Sequence, residues 1–213
     1  MGKSEKKRLS YAKWQIKKGF LLPLTLLQLK RLRQVYWNFR AQDIYERWGF
    51  NNNDFDVVKE IIILINPHRL LDIGCGNGRL FPLYQSLGIR EVVAQDIASK
   101  AIFLCKKRFP VLSNIRFEKK EITELDYPEN YFELTISSLV LSAISPVEIE
   151  KVFDHLVKIS RYIYLRETTE GDYSLISATY WYKHNYGLLA KRTNLKIIKQ
   201  GVVDNQVWML FGK

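Results

Sequence analysis

The stretch Leu70-Leu71-Asp72-Ile73-Gly74-Cys75-Gly76-Asn77-Gly78 decides the reading of this chain. Its apolar start and Asp72 end a buried strand. Three glycines at alternate positions then turn the backbone into a helix beginning near Arg79-Leu80-Phe81. Glycine is required where the main chain takes positive φ or where a ligand comes into contact with it. A strand–glycine turn–helix unit also aims unbonded N–H groups at whatever occupies the turn. A dinucleotide fingerprint, G-x-G-x-x-G, needs glycine at position 79, and Arg79 stands there instead. Taken alone, the turn is compatible with another adenosine ligand or with a tight turn that holds nothing.

Downstream residues narrow the choice. Glu91-Val92-Val93-Ala94-Gln95-Asp96-Ile97 is a second apolar run ending in an acid, 20 residues beyond Gly76. A carboxylate at the end of the second strand of a βαβ unit can accept both ribose hydroxyls of an adenosine. Alone, Asp96 could equally be a helix N-cap. Ile115–Glu118 reads as a third strand, followed by Glu121-Ile122, and Phe132–Leu141 reads as a central buried strand running into a loop.

Together these stretches resemble the class I S-adenosylmethionine (SAM)-dependent methyltransferases, whose motif I has the form D-x-G-x-G-x-G. The likeness extends over roughly residues 41–213, with its strongest motifs within 70–141. The resemblance implies that Asp72, Gly74, Cys75, Gly76 and Gly78 surround the amino-acid end of SAM. It implies that Asp96 holds the ribose and that Ile97 packs on adenine. Glu121 would approach the adenine amino group, where the family more often has Asp, and Ile122 would lie beside the ring. Ser137, Ser138 and Leu139 would line the methionine portion and the transferred methyl. In Tyr45-Glu46-Arg47-Trp48, Tyr45 and Trp48 are candidates for a lid over the cofactor, with packing of a helix on the core as the alternative.

The remaining segments complete a sheet. Arg161–Glu167 reads as a strand rich in aromatic and branched residues, and Leu195–Lys199 and Gln206–Phe211 as two more around a polar turn at Asp204-Asn205. So short a connection requires antiparallel neighbours. Helices are expected near 54–65, 79–88, 98–108, 146–158 and 184–193. The expected fold is α/β, a Rossmann-like seven-stranded, mostly parallel sheet with a C-terminal antiparallel hairpin and helices on both faces. A basic helical N-terminal extension precedes it. The expected division is residues 1–40 as extension and 41–213 as the methyltransferase domain.

Length and a hydrophobic content of 47% suit a globular core. Two cysteines, Cys75 and Cys105, give neither a disulfide framework nor a metal cluster, and the three histidines are dispersed. No metal is expected. The net charge of +11 is uneven: residues 1–40 hold eleven Lys or Arg and the single acid Glu5, a net +10, which leaves +1 for 41–213. The high pI therefore belongs to the extension, which is free to seek polyanions.

Within the extension, Gly19–Leu29 is apolar but too short to span a bilayer, which needs ~20 residues. It is flanked by basic residues without a small-residue cleavage site, so it does not read as a signal peptide. Gly2 is followed by Lys6 where a myristoylation signal wants Ser or Thr. Leu22, Leu26, Leu29, Leu32, Tyr36 and Phe39 recur at helical spacing, and Pro23 suits the first turn. Three uses stay open: docking on the catalytic domain, lying on an anionic membrane, or binding RNA through Tyr11, Trp14, Tyr36 and Trp37.

The acceptor is less legible. Candidate bases come from the ends of later strands: Glu167, and His184 in the aromatic stretch Tyr180–Tyr186. For each, a packing or capping role competes with catalysis. No Asn/Asp-Pro-Pro-Tyr/Phe follows the fourth strand, as in enzymes that methylate adenine or glutamine amino groups, nor a Pro-Cys pair, as in cytosine C5 enzymes. The reading is a SAM-dependent methyltransferase acting on an O or N nucleophile of a small or amphipathic acceptor. It is expected in the cytoplasm, with a membrane-peripheral or RNA-directed enzyme and a non-catalytic scaffold as alternatives.

Overall fold

A computed structural model describes residues 30–47, 54–168, 182–204 and 206–213, with the side chains of 30–32, 43–47 and 168 outside that description. Helix α1 (Lys30–Arg47) and helix α2 (Phe55–Ile65) precede the sheet. Then come β1 (Arg69–Ile73), α3 (Phe81–Ser86), β2 (Glu91–Gln95), α4 (Ser99–Arg108) and β3 (Ile115–Glu118). They are followed by β4 (Phe132–Ser138), α5 (Ile149–Ile159), β5 (Ser160–Thr168), α6 (Tyr186–Arg192), β6 (Lys196–Val203) and β7 (Gln206–Gly212).

The sheet has seven strands in the order β3-β2-β1-β4-β5-β7-β6. The first five run parallel, and β7 enters antiparallel between β5 and β6. The C-terminal hairpin expected from the short turn is thus present, as is the mostly parallel sheet. Because β1 lies between β2 and β4, the strand order reverses there, and the C-terminal ends of β1 and β4 flank a crevice.

Side-chain alternation divides the core in two. On one face Leu71, Ile73, Phe132, Ile163, Leu165 and Phe211 pack against α5 and α6. On the other Leu70, Val92, Ala94, Leu134, Ile136 and Leu210 pack against α2 and α3. Adjacent residues Leu70 and Leu71 thus serve opposite faces, which is why both are apolar. Helix α5 buries Ile149, Val152, Phe153, Leu156 and Ile159, an unbroken stripe at helical spacing. Helix α2 buries Val58, Ile61 and Ile62 and stops at Asn66, whose left-handed φ of 47° lets its N–H bond back to Ile62 O.

Helix α1 runs without interruption across position 40 to Arg47. It packs on α4 through Trp37 and Ala41 against Ala98, Ala101 and Leu104. Of the stripe read from the sequence, Tyr36 is buried but Phe39 is exposed. The inward face instead follows Arg33, Tyr36, Trp37, Arg40 and Ala41, since Ala41 permits close approach to the alanines of α4. Leu22, Pro23, Leu26 and Leu29 lie outside the described residues.

Candidate active site

The glycine turn leaves β1 into the crevice. Gly74, Gly76 and Gly78 have φ of 58°, 55° and 71°. A Cβ on Gly74 would stand 2.4 Å from Val140 Cγ2, so Gly74 lets the turn meet the loop after β4. At Gly76 the nearest atom to such a Cβ would be Gly74 O at 3.7 Å. Space beside Gly76 is therefore open to a ligand in contact with the main chain.

Two residues at the end of β2 hold this turn. Gln95, buried, accepts the Gly74 amide on Oε1 at 3.0 Å while its Nε2 donates to Lys120 O. Asp96 accepts the Gly76 amide on Oδ2 at 3.0 Å and the Ala98 amide on Oδ1 at 2.8 Å. Asp96 is thus both a cap-like acceptor ahead of α4 and a neighbour of the glycine turn. Each carboxylate oxygen keeps a further lone pair, which a ribose hydroxyl can use. Burial pushes the Asp96 carboxyl above its ordinary value, and the amides of Ala98, Gly76 and Ile97 oppose that rise.

Asp72, one turn of chain upstream, is more strongly perturbed. Burial pushes its carboxyl up to about 7, against the pull of the Tyr84 hydroxyl and the Arg79 charge. Cys75 and Cys105 are buried reduced thiols. The Cys105 thiol donates to Gly76 O, and a hydrogen bond with Cys105, together with burial, pushes the Cys75 thiol up, away from the reactive thiolate.

On the side where adenine is expected, Ile97 is half-buried and Ile122 buried. Glu121 is the N-cap of a short 3-10 turn, Ile122–Glu124, in a reciprocal capping box with Glu124. Its carboxylate also faces Arg33 Nη1 at 3.7 Å. Arg33 Nη2 meanwhile donates to both oxygens of Glu148, at 2.9 and 2.8 Å, and Gln34 Nε2 donates to Ile97 O at 3.1 Å. The N-terminal half of α1 therefore bridges from Ile97 and Glu121 to the loop ahead of α5. Sequence reasoning placed a lid at Tyr45 and Trp48; Trp48 and the Tyr45 side chain lie outside the described residues. The residues that reach across are Arg33 and Gln34, whose charge and polarity gave no sign of it.

The loop after β4 departs from expectation. Ser137 is fully buried and donates to Glu167 Oε1, so its hydroxyl does not line the crevice. Ser138 Oγ accepts from Arg79 Nη2 at 3.0 Å. Leu139 has a φ of 60°, rare for a side chain of this size, and its N–H is tied to Arg166 O. Glu167, on β5 and 2% exposed, accepts from the amides of Val140 at 3.1, Leu141 at 2.9 and Ser142 at 3.2 Å. The hydroxyls of Ser137 and Ser142 also donate to it. Five donors exhaust a carboxylate's roughly four lone-pair sites. The base role expected of Glu167 thus gives way to an anchoring one: it fixes the loop that touches Gly74. Burial raises its carboxyl, and these donors oppose the rise.

His184 lies nearby, half-buried between the rings of Tyr182 and Tyr186. Its Nε2 meets Ile144 O at 2.9 Å, a contact that requires the proton on Nε2. Burial lowers its pKa, so the ring is neutral at pH 7.

A buried ion cluster flanks the same loop. Asp54, wholly buried before α2, pairs with Arg79 at 2.5 and 2.7 Å and with Arg166 Nη1 at 2.7 Å. Burial alone would raise the Asp54 carboxyl, but the two guanidinium groups outweigh it and hold it below its ordinary value. Asp54, Gln95, Val140 and Arg166 carried no motif, and Arg79 was legible only as a missing glycine. Among the described residues, no three His, Cys, Asp or Glu gather as a metal site would require.

Comparison with known proteins agrees with this geometry. Residues 70–161 match the model of the Methyltransferase domain family. A stretch of 85 residues is 32% identical to a malonyl-[acyl-carrier protein] O-methyltransferase of Halorhodospira halophila, covering 37% of this chain and 27% of that protein. The chain thus spans about a quarter of that relative's length. The magnesium protoporphyrin IX methyltransferase of Synechocystis PCC 6803, solved with bound SAM, superposes with a TM-score of 0.69 at 17% identity. That likeness covers 86% of this chain and 96% of the other. The 1,6-didemethyltoxoflavin-N1-methyltransferase of Burkholderia thailandensis, solved with S-adenosylhomocysteine, gives 0.66 at 17% identity over 84% and 86%.

Strand order and glycine turn give the fold of the solved methyltransferases on which the chain superposes, and residues 70–161 match the Methyltransferase domain family. In this chain that domain is built around Gly74–Gly78 and Asp96, and α1 reaches across its crevice.

Proposed function

We propose that this protein transfers the methyl group of SAM to an oxygen or nitrogen of a small or amphipathic acceptor. The observation that carries the reading is Asp96, whose carboxylate joins the glycine turn to the start of α4 at the point where the strand order reverses. The residues present fit the cofactor: open space beside Gly76 for a ligand against the backbone, unused lone pairs on Asp96 for ribose, and Ile97 and Ile122 for an adenine ring. Bound SAM supplies a methyl carbon activated by a sulfonium leaving group.

The protein's share is positioning and exclusion of water. Asp96 and the glycine turn hold the adenosine end. Asp72, ionised above pH about 7, favours a cationic amino-acid end. Glu167 clamps residues 140–142, so the wall facing Gly74 is rigid. Arg33 and Gln34 close the adenine side from above. If the acceptor must lose a proton, neutral His184 is the candidate to take it. We read residues 1–40 as the element that brings the enzyme to a polyanionic partner.

Screening a panel of O- and N-acceptors, hydrophilic and amphipathic, with methyl-labelled SAM tests the reading. Transfer to at least one acceptor, abolished by Asp96→Ala, is expected. Binding of SAM without transfer to any acceptor class would favour a scaffold.

A further inference from the structure

Over Arg33–Gln42 and Ser99–Arg108 the outward surface of the α1–α4 pair combines apolar side chains with cations; the acids of α1, Asp43 and Glu46, come in its last turns, whose side chains lie outside the described residues. On α4, Lys100, Phe103 and Lys107 share one exposed face, with Phe103 58% exposed and Lys100 Nζ 5.4 Å from its ring centroid. The last turn is Lys106-Lys107-Arg108. Helix α1 lies alongside, its Asn38 Oδ1 accepting the Lys100 amide at 2.9 Å. On its outer side α1 presents Val35, 55% exposed, and Phe39 one turn later. No acid occurs from Arg33 to Gln42 or from Ser99 to Arg108.

This pattern suits one kind of partner. Aromatic and branched side chains set among lysines insert at a lipid headgroup boundary while the ammonium groups meet anionic heads. Of the four aromatic residues named for stacking on RNA, Tyr36 is buried and Trp37 packs on Ala98, Ala101 and Leu104, while Tyr11 and Trp14 lie outside the described residues. The chain leading into α1 carries seven Lys or Arg before Lys30 and the apolar run Gly19–Leu29. No helix among the described residues is long and apolar enough to cross a membrane. We propose that the outer face of α1 and α4 docks on the surface of an anionic lipid bilayer. The crevice would then open beside the membrane, since Gln34 on the same helix holds Ile97 O at its rim.

Flotation of the full-length chain with liposomes tests this. Vesicles of phosphatidylcholine alone are compared with vesicles containing phosphatidylglycerol, at low and high salt. Binding is expected to the anionic vesicles only and to weaken with salt. The double variant Lys100→Glu/Lys107→Glu should lower it by at least about tenfold, since each surface cation contributes about 1 kcal/mol. Phe103→Ser should weaken it further at high salt, where the apolar contribution dominates. Circular dichroism confirms that these exposed-site variants fold. Equal binding to neutral vesicles, indifference to both variants, or capture of single-stranded RNA without vesicle binding would each overturn the proposal. No methyl acceptor enters the measurement, so failure here leaves the methyl-transfer reading standing.

Discussion

The Asp96 carboxylate accepts the Gly76 amide at 3.0 Å, across 20 residues of chain. This bond fixes the distance between the glycine turn and the end of β2, the two walls expected to hold adenosine.

Asp96→Ala removes both that bond and the proposed ribose acceptor. SAM affinity should fall by about 1.5–3 kcal/mol, the range for hydrogen bonds to charged groups. Titration calorimetry reads it directly, and an unchanged affinity would refute the ribose assignment.

Gly74→Ala and Gly76→Ala should separate stability from binding. The first drives a methyl into Val140 and should cost about 1–3 kcal/mol of folding stability, seen as a lowered Tm. The second meets no side chain and costs about 1 kcal/mol for its positive φ. Its methyl enters the open space, so the larger loss should be in SAM affinity. Val140→Ala should relieve part of the Gly74→Ala defect and none of the Gly76→Ala defect.

Asp72, placed beside the amino-acid end of SAM as proposed, is expected to make binding depend on pH. Its carboxyl titrates near pH 7 in the folded protein, raised by burial, and is protonated below that. A cationic cofactor end prefers the ionised form, so SAM affinity should rise between pH 6 and 8. The sign for folding is opposite: the native state holds this proton more tightly than the unfolded chain. Asp72 therefore favours folding at low pH and loses that contribution as pH rises from about 4 towards 7. Asp72→Asn should flatten both dependences, measured by calorimetry and by urea unfolding across that range.

Asp54→Asn strips the partner from two buried guanidinium groups. Breaking a buried ion cluster on one side costs about 3–5 kcal/mol. Asp54→Asn should therefore be among the least stable single variants, with loss of solubility or a markedly lower denaturant midpoint.

Arg33→Ala should act on closure alone. It releases Glu148 and Glu121 at a site away from the sheet core. Stopped-flow release of SAM is expected to quicken severalfold, while the Tm changes little. Unchanged release would show that α1 does not gate the crevice.

Much of the fold was legible because its signals are local. Short runs rich in apolar residues mark strands buried on both faces, and the helical spacing in 149–159 marks α5. The Asp204 turn marks an antiparallel hairpin. The glycine turn and Asp96 were legible for the same reason, as a motif and a spacing. Gln95, Asp54 and Arg166 were not, since their roles depend on partners brought close only by the sheet. Arg166 lies 112 residues from Asp54 in the chain yet contacts its carboxylate at 2.7 Å. Glu167 shows the opposite error: an acid at the end of a strand invites a catalytic reading, but four donors from the loop after β4 and the hydroxyl of Ser137 on β4 already occupy it. Phe39 exchanged places with Trp37 because the partner helix offers alanines to receive the larger ring.

Cofactor binding is the property on which the proposed activity depends. Isothermal titration of the full-length protein with SAM is the most direct measurement. It should show one saturable site per chain, competed by S-adenosylhomocysteine and weakened by Asp96→Ala. A folded protein that gives no heat up to high micromolar SAM would contradict it.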